Sequence, residues 1–161
     1  MVERTGKRNQ CYSRRHRTWG HNYMIDVDSV EHDGDGGPLA LIETKYGLIQ
    51  TVDLNELRFT VLCNLANDVL PVFCTVYYPL NSNGDLVNAG YENEMEFIQF
   101  YTIPVNEVAR RYLAKPKRMT ELEYVDLLHK IHGTARNGSS TYGINNEWVD
   151  VVIPTVITRL P

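Results

Sequence analysis

Leu39-Ala40-Leu41-Ile42 places four apolar residues in succession, and Glu43-Thr44-Lys45 continues the run without a break. A strand with apolar side chains at consecutive positions has no face to give to water, so it must be covered on both sides. A sheet covered on both faces is a layered α/β arrangement. Ahead of it, Tyr23-Met24-Ile25-Asp26-Val27-Asp28-Ser29-Val30 alternates apolar and polar residues in the manner of a strand. Between the two lies His32-Asp33-Gly34-Asp35-Gly36-Gly37-Pro38, a dense cluster of turn formers that reads as a hairpin loop.

The rest of the chain supplies the layers. Asp53 with Glu56 has the spacing of a capping box, and Leu54, Leu57, Val61, Leu62 and Leu65 recur at helical period, so a helix is predicted from Asp53 to about Asn67. Leu70-Pro71 ends it. Val72–Tyr78 is a β-branched and aromatic run, predicted as a buried strand. Pro79 and Asn81–Asp85 form a surface loop, and Glu96–Ile103 is a further strand. A short helix is predicted over Pro104–Leu113. A second capping box, Thr120 with Glu123, opens a helix to about Ile131 with Leu122, Val125, Leu128 and Ile131 inward. Residues 133–143 are rich in Gly, Ser and Asn, and Val149–Ile157, interrupted by Pro154, reads as an edge strand. Strand–strand–helix–strand–strand–helix implies a helical crossover and at least one parallel strand pair.

At 161 residues the chain fits one domain, taken as 21–161, with 1–20 a basic segment packed on it or leading into it. Residues 1–20 hold six Lys/Arg and one acid, a local charge of +5, whereas the remainder holds ten basic and nineteen acidic residues, −9. A basic arm on an acidic body suits phosphate neutralisation on nucleic acid, although a solubilising tail has the same composition. No apolar run reaches the ~18 residues of a membrane span, and the Arg-rich N-terminus lacks the apolar stretch of a secretory signal. Cys11, Cys63 and Cys74 are few and widely spaced, which fits a reducing compartment and excludes a CxxC-type zinc site. A cytoplasmic protein without membrane attachment is the expectation.

The chemistry-bearing residues converge on the two strands before the first helix. Asp26 and Asp28 are two apart, as are Glu43 and Lys45, so each pair shares one face of its strand. If the loop makes an antiparallel hairpin, three carboxylates and a lysine meet. Such a cluster needs a counter-charge, and Mg²⁺ or Mn²⁺ with oxygen ligands would supply it. A lysine beside it can orient a water and oppose charge developing on a phosphate. The plainer alternative is a surface ion pair between Glu43 and Lys45, worth little.

Asp28, a fourteen-residue gap, and Glu43-Thr44-Lys45 closing an apolar strand resemble the PD-(D/E)xK nuclease superfamily. The helix after Lys45 and the strands at 70–77 and 97–103 follow in the order of that superfamily's core, and Arg14-Arg15-His16-Arg17-Thr18-Trp19-Gly20 is similar to phage-borne members. The resemblance implies a restriction-endonuclease-like core, a central mixed β-sheet flanked by helices. It implies Asp28 and Glu43 as metal ligands, with Asp26 as a further or alternative one, and Lys45 as the catalytic lysine. Some members carry a glutamine on the following helix, where this chain has Arg58 instead.

The expected function is a Mg²⁺-dependent nuclease hydrolysing DNA, with Arg14, Arg15, Arg17, Trp19 and Arg58 contacting the nucleic acid. A homodimer would cut both strands, and the setting implied is a bacterial or phage-infected host cell. The alternative is a catalytically silent nuclease-fold protein that binds nucleic acid or a protein, such as a phage accessory or inhibitory factor. No nucleotide loop, nucleophile elbow or cofactor motif supports a small-molecule enzyme. His16, His21 and His32 lie near the aspartate strand, where the ordinary reading is a surface imidazole. Asp33-Gly34-Asp35-Gly36 lacks the remaining ligands of a calcium loop and reads as a turn.

Overall fold

The computed structural model describes residues 27–88, 90–134 and 145–158. Its centre is a five-stranded mixed sheet in the order β1-β2-β4-β5-β6, formed by β1 (Ser29–His32), β2 (Pro38–Tyr46), β4 (Val72–Leu80), β5 (Phe97–Pro104) and β6 (Lys117–Thr120). β1 and β2 are the antiparallel hairpin that the turn-forming cluster predicts. Its loop is closed by Asp33, whose Oδ1 accepts from the backbone N–H of Asp35 (2.9 Å) and Gly37 (2.7 Å). β2 and β4 run parallel, joined over the sheet by helix α1 (Leu57–Ala66), and β5 and β6 continue antiparallel.

The unbroken apolar run of β2 has the two-sided cover its sequence demands. Leu41 faces a cluster containing Cys74, Val76 and Tyr78 of β4 together with Phe59, Leu62 and Ala66 of α1. Ala40 and Ile42 face the opposite cluster, with Phe73, Met119, and Ala109, Leu127 and Ile131 from two further helices. These are α2 (Glu107–Arg110) and α3 (Glu121–His132). The Thr120–Glu123 capping box of α3 forms in full, and Gly133 in the left-handed conformation ends the helix.

Several boundaries differ from the sequence expectation. Asp53 does not open a helix: Thr51–Asp53 is strand β3, paired in parallel with β7 (Thr155–Ile157) in a separate two-stranded sheet. The Asp53 carboxylate accepts from Asn55 N–H in a local turn, and α1 begins four residues later without a side-chain cap. The helix also turns a different face to the sheet from the one expected. Phe59, Leu62 and Ala66 are buried, whereas Leu57 and Leu65, expected inside, are 68% and 59% exposed. Pro79 lies inside β4 rather than in a loop, and β6 was not anticipated. The edge strand expected over Val149–Ile157 is reduced to β7. Residues 145–150 instead lie along the sheet, where Gln99, fully buried, donates to Val149 O (2.6 Å) and accepts from Val149 N–H (3.0 Å).

Asn106 joins three parts of this frame. Its Oδ1 caps α2 through Ala109 N–H (2.9 Å) and also accepts from Val72 N–H (3.0 Å), and its Nδ2 donates to Leu70 O (2.8 Å). Truncation removes a helix cap and strands backbone groups at the start of β4. Asn106→Ala is expected to lower unfolding free energy by about 2–3 kcal/mol in a urea titration.

Candidate metal and phosphate site

The period-two geometry of β2 sets Glu43 and Lys45 on the Leu41 face, the face covered by α1. Asp28 stands immediately before β1. Ser29 is opposite Ile42, which leaves Asp28 one residue beyond the paired register and beside Glu43. Its carboxylate is fixed there by the middle residue of the Glu-Thr-Lys triplet: Oδ2 accepts from Thr44 N–H (2.9 Å) and Thr44 Oγ1 (3.1 Å). The three residues predicted to act together are thus gathered at one place, with Asp28 exposed and Glu43 buried.

Glu43 is 1% exposed. Arg58, the second residue of α1, donates from Nη1 to Glu43 Oε1 and forms an ion pair with it. Oε2 is buried and has no hydrogen-bond partner. Burial pushes the Glu43 carboxyl above the usual carboxylate range, and neighbouring Asp28 pushes the same way. The Arg58 hydrogen bond and charge, together with Lys45, oppose the rise without cancelling it.

Lys45 is held at the edge of this pocket. Its side chain is 16% exposed, with Nζ 3.7 Å from Glu56 Oε2 and 5.8 Å from the centroid of the Phe59 ring. The stem is therefore covered while the ammonium lies between a carboxylate and an aromatic face. Cys74, opposite Glu43 in register, is a bystander: burial pushes its thiol up to about 12, so it stays protonated and is no ligand.

Among the described residues no group of three His, Cys, Asp or Glu side chains is assembled to hold a metal. The donors present are two carboxylates, one of them with an unpartnered buried oxygen. That set fits a Mg²⁺-type ion, which binds through one or two carboxylates and keeps several waters. Asp26, Arg14, Arg15, Arg17 and Trp19, with Tyr12, His16 and His21, lie outside the described residues. His32 is the exposed last residue of β1, opposite Pro38 at the far end of the hairpin from the triplet. Arg58, expected on nucleic acid, is engaged with Glu43. Two contributors escaped the sequence reading: Thr44, which anchors Asp28, and Glu56, which meets Lys45. Thr44 carried a signal, because a hydroxyl between the two charged residues of a hairpin strand can bond across to the partner strand.

The Glu43–Arg58 pair predicts how stability depends on pH. An acid with a raised folded-state pKa binds protons more tightly folded than unfolded, so stability falls as pH rises through that window. Removing Arg58 raises the carboxyl further. Arg58→Ala is expected to destabilise by about 2 kcal/mol at neutral pH, below the cost of breaking a fully buried pair because Arg58 is half exposed and Glu43 can protonate. The deficit should shrink in chemical denaturation as the pH is lowered through the raised range of the Glu43 carboxyl, and Glu43→Gln should recover most of it in the double variant. Comparison with known proteins gives no match: no family model, no curated protein and no solved structure matches this chain.

Proposed function

We propose that this chain is a Mg²⁺- or Mn²⁺-dependent nuclease that hydrolyses phosphodiester bonds in DNA. The observation that carries the reading is the buried Glu43 carboxylate, one oxygen without a partner, set beside Asp28 with Lys45 on the same strand face. A buried anion of this kind is costly unless a cation compensates it. The hairpin β1–β2, the crossover α1 and the parallel strand β4 also follow the order that the PD-(D/E)xK resemblance implies, which supports a restriction-endonuclease-like core.

Asp28 and Glu43 would hold the metal, with Asp26 as a third oxygen donor. When bound, such an ion supplies Lewis-acid charge and a water acidified towards neutrality. Lys45 donates hydrogen bonds to the attacking water and to a non-bridging phosphate oxygen, opposing the charge that develops there. Its contact with Glu56 and the cover of Phe59 keep the ammonium at the rim of the pocket. Arg14, Arg15 and Arg17 neutralise backbone phosphates, Trp19 stacks on bases, and a homodimer brings two such sites to the two strands. The setting that fits is the cytoplasm of a bacterial or phage-infected cell; no helix among the described residues is long and apolar enough to cross a membrane.

One observation favours the binding-only alternative, in which the fold grips nucleic acid or a protein partner without cutting. Arg58 already neutralises part of the Glu43 charge. Labelled linear, circular, single-stranded and four-way-junction DNAs, incubated with Mg²⁺, Mn²⁺ or EDTA, decide between the two. Metal-dependent cutting that Lys45→Ala lowers by about 100-fold or more, with DNA binding changed less than about threefold, is the expected result. Folded protein that cuts no DNA with either metal would overturn the nuclease and leave the binding protein.

A further inference from the structure

We infer that Arg58 is the resident counter-ion of Glu43, a guanidinium that holds the carboxylate in place until a divalent cation arrives and displaces it. The inference rests on the metal site proposed above and deepens it, by stating what fills the cation's role beforehand.

Arg58 is poorly placed for any service to its own helix. It lies in the first turn of α1, where the aligned peptide dipoles present positive charge and disfavour a cation. That turn contains no acidic residue, and the Glu56 side chain does not cap it. Among the described residues the guanidinium's one direct ion-pair partner is the buried carboxylate of Glu43, with Asp28 and Glu56 adding attraction from nearby. A cation at an unfavourable helix end, drawn toward three carboxylates, is there for the carboxylates.

The two partners differ in how they meet solvent. Glu43 is enclosed, whereas the Arg58 side chain is 44% exposed, so the arginine can withdraw into water while the glutamate cannot. Arg58 also takes one oxygen only and leaves Oε2 without a partner. A guanidinium can donate to both oxygens of a carboxylate in a fork, and here it does not. The pair is therefore satisfied on one side and open on the other. The exchange changes no covalent bond: Arg58 keeps its charge and swings into solvent, and a divalent ion replaces a monovalent one at the carboxylate.

Displacement makes Arg58 a competitor of the metal, which gives it a sign opposite to that of a helper residue. Mn²⁺ is titrated calorimetrically into the full chain at about pH 8, comparing the unaltered protein with Arg58→Gln and Arg58→Lys, each checked for native circular dichroism. Loss of a charge-assisted hydrogen bond to Glu43 is expected to tighten Mn²⁺ binding by about tenfold or more in Arg58→Gln. In Arg58→Lys a gain of about threefold is expected, because an ammonium is more strongly hydrated than a guanidinium and is the weaker rival for a buried carboxylate. Unchanged or weaker binding in both variants would overturn the exchange and leave the metal site standing. Should Arg58→Gln fail to fold, the Lys variant alone decides by the same rule. Absence of Mn²⁺ binding in all three proteins would overturn the metal site and the exchange together, whatever the cleavage assays show.

Discussion

Glu43 lies on β2, an interior strand of the sheet beside the central β4, pairs in register with Cys74 on one side, and has Asp28 beside it on the other. A carboxylate enclosed to that degree loses hydration that the interior does not replace, and several surrounding features answer the loss. Arg58 faces it from the helix above, Lys45 follows two residues along the same strand, and the crossover returns the chain in parallel so that α1 covers this face. If Glu43 were exposed, Arg58 and Lys45 would be two more solvated surface cations on an acidic protein. Because it is buried, the first turn of α1 has to stand over β2, and that fixes the entry to the parallel pair.

Much of this was readable from residue order. Four apolar residues in a row could belong only to a strand covered on both faces, and the Gly-rich stretch before them could only turn the chain sharply. Period-two spacing was enough to put Glu43 and Lys45 on one face. The start of the first helix was not readable. Asp53 and Glu56 have the spacing of a cap, but Asp53 belongs to a strand whose partner, Ile157, is about a hundred residues away, a separation no local pattern reports. Leu57 and Leu65 were expected inside because apolar periodicity alone does not say which side of the helix meets the sheet, and Phe59, Leu62 and Ala66 meet it. The Arg58–Glu43 pair was hidden for a related reason, since its formation depends on how α1 lies across β2 and not on either local sequence.

Polar side chains at non-helical positions do much of the long-range joining. Asn106 ties the end of β5 to the start of β4, and Gln99 holds the segment around Val149 against the sheet through two backbone bonds. Both use an amide that donates and accepts at once, which lets one side chain satisfy backbone groups of opposite kind. The segment around Val149, expected as the start of an edge strand, is in this way held in the domain by side-chain bonds rather than by a strand ladder.

The pairing of β3 with β7 has a consequence for the order in which the molecule can be completed. Leu54 N–H donates to Ile157 O (2.8 Å), and Thr155 N–H donates to Gln50 O (3.0 Å), so the stretch leading into α1 is stapled by residues near the far end of the chain. Contacts across so long a loop form late, because the entropy of closing it must be met before they contribute. During synthesis the five-stranded sheet can assemble while the approach to α1 is still loose. The helix that carries Arg58 and shields Lys45 gains its final anchor only when residues 155–157 have emerged, so a nascent chain holds its acidic pair before it holds the frame that orients it.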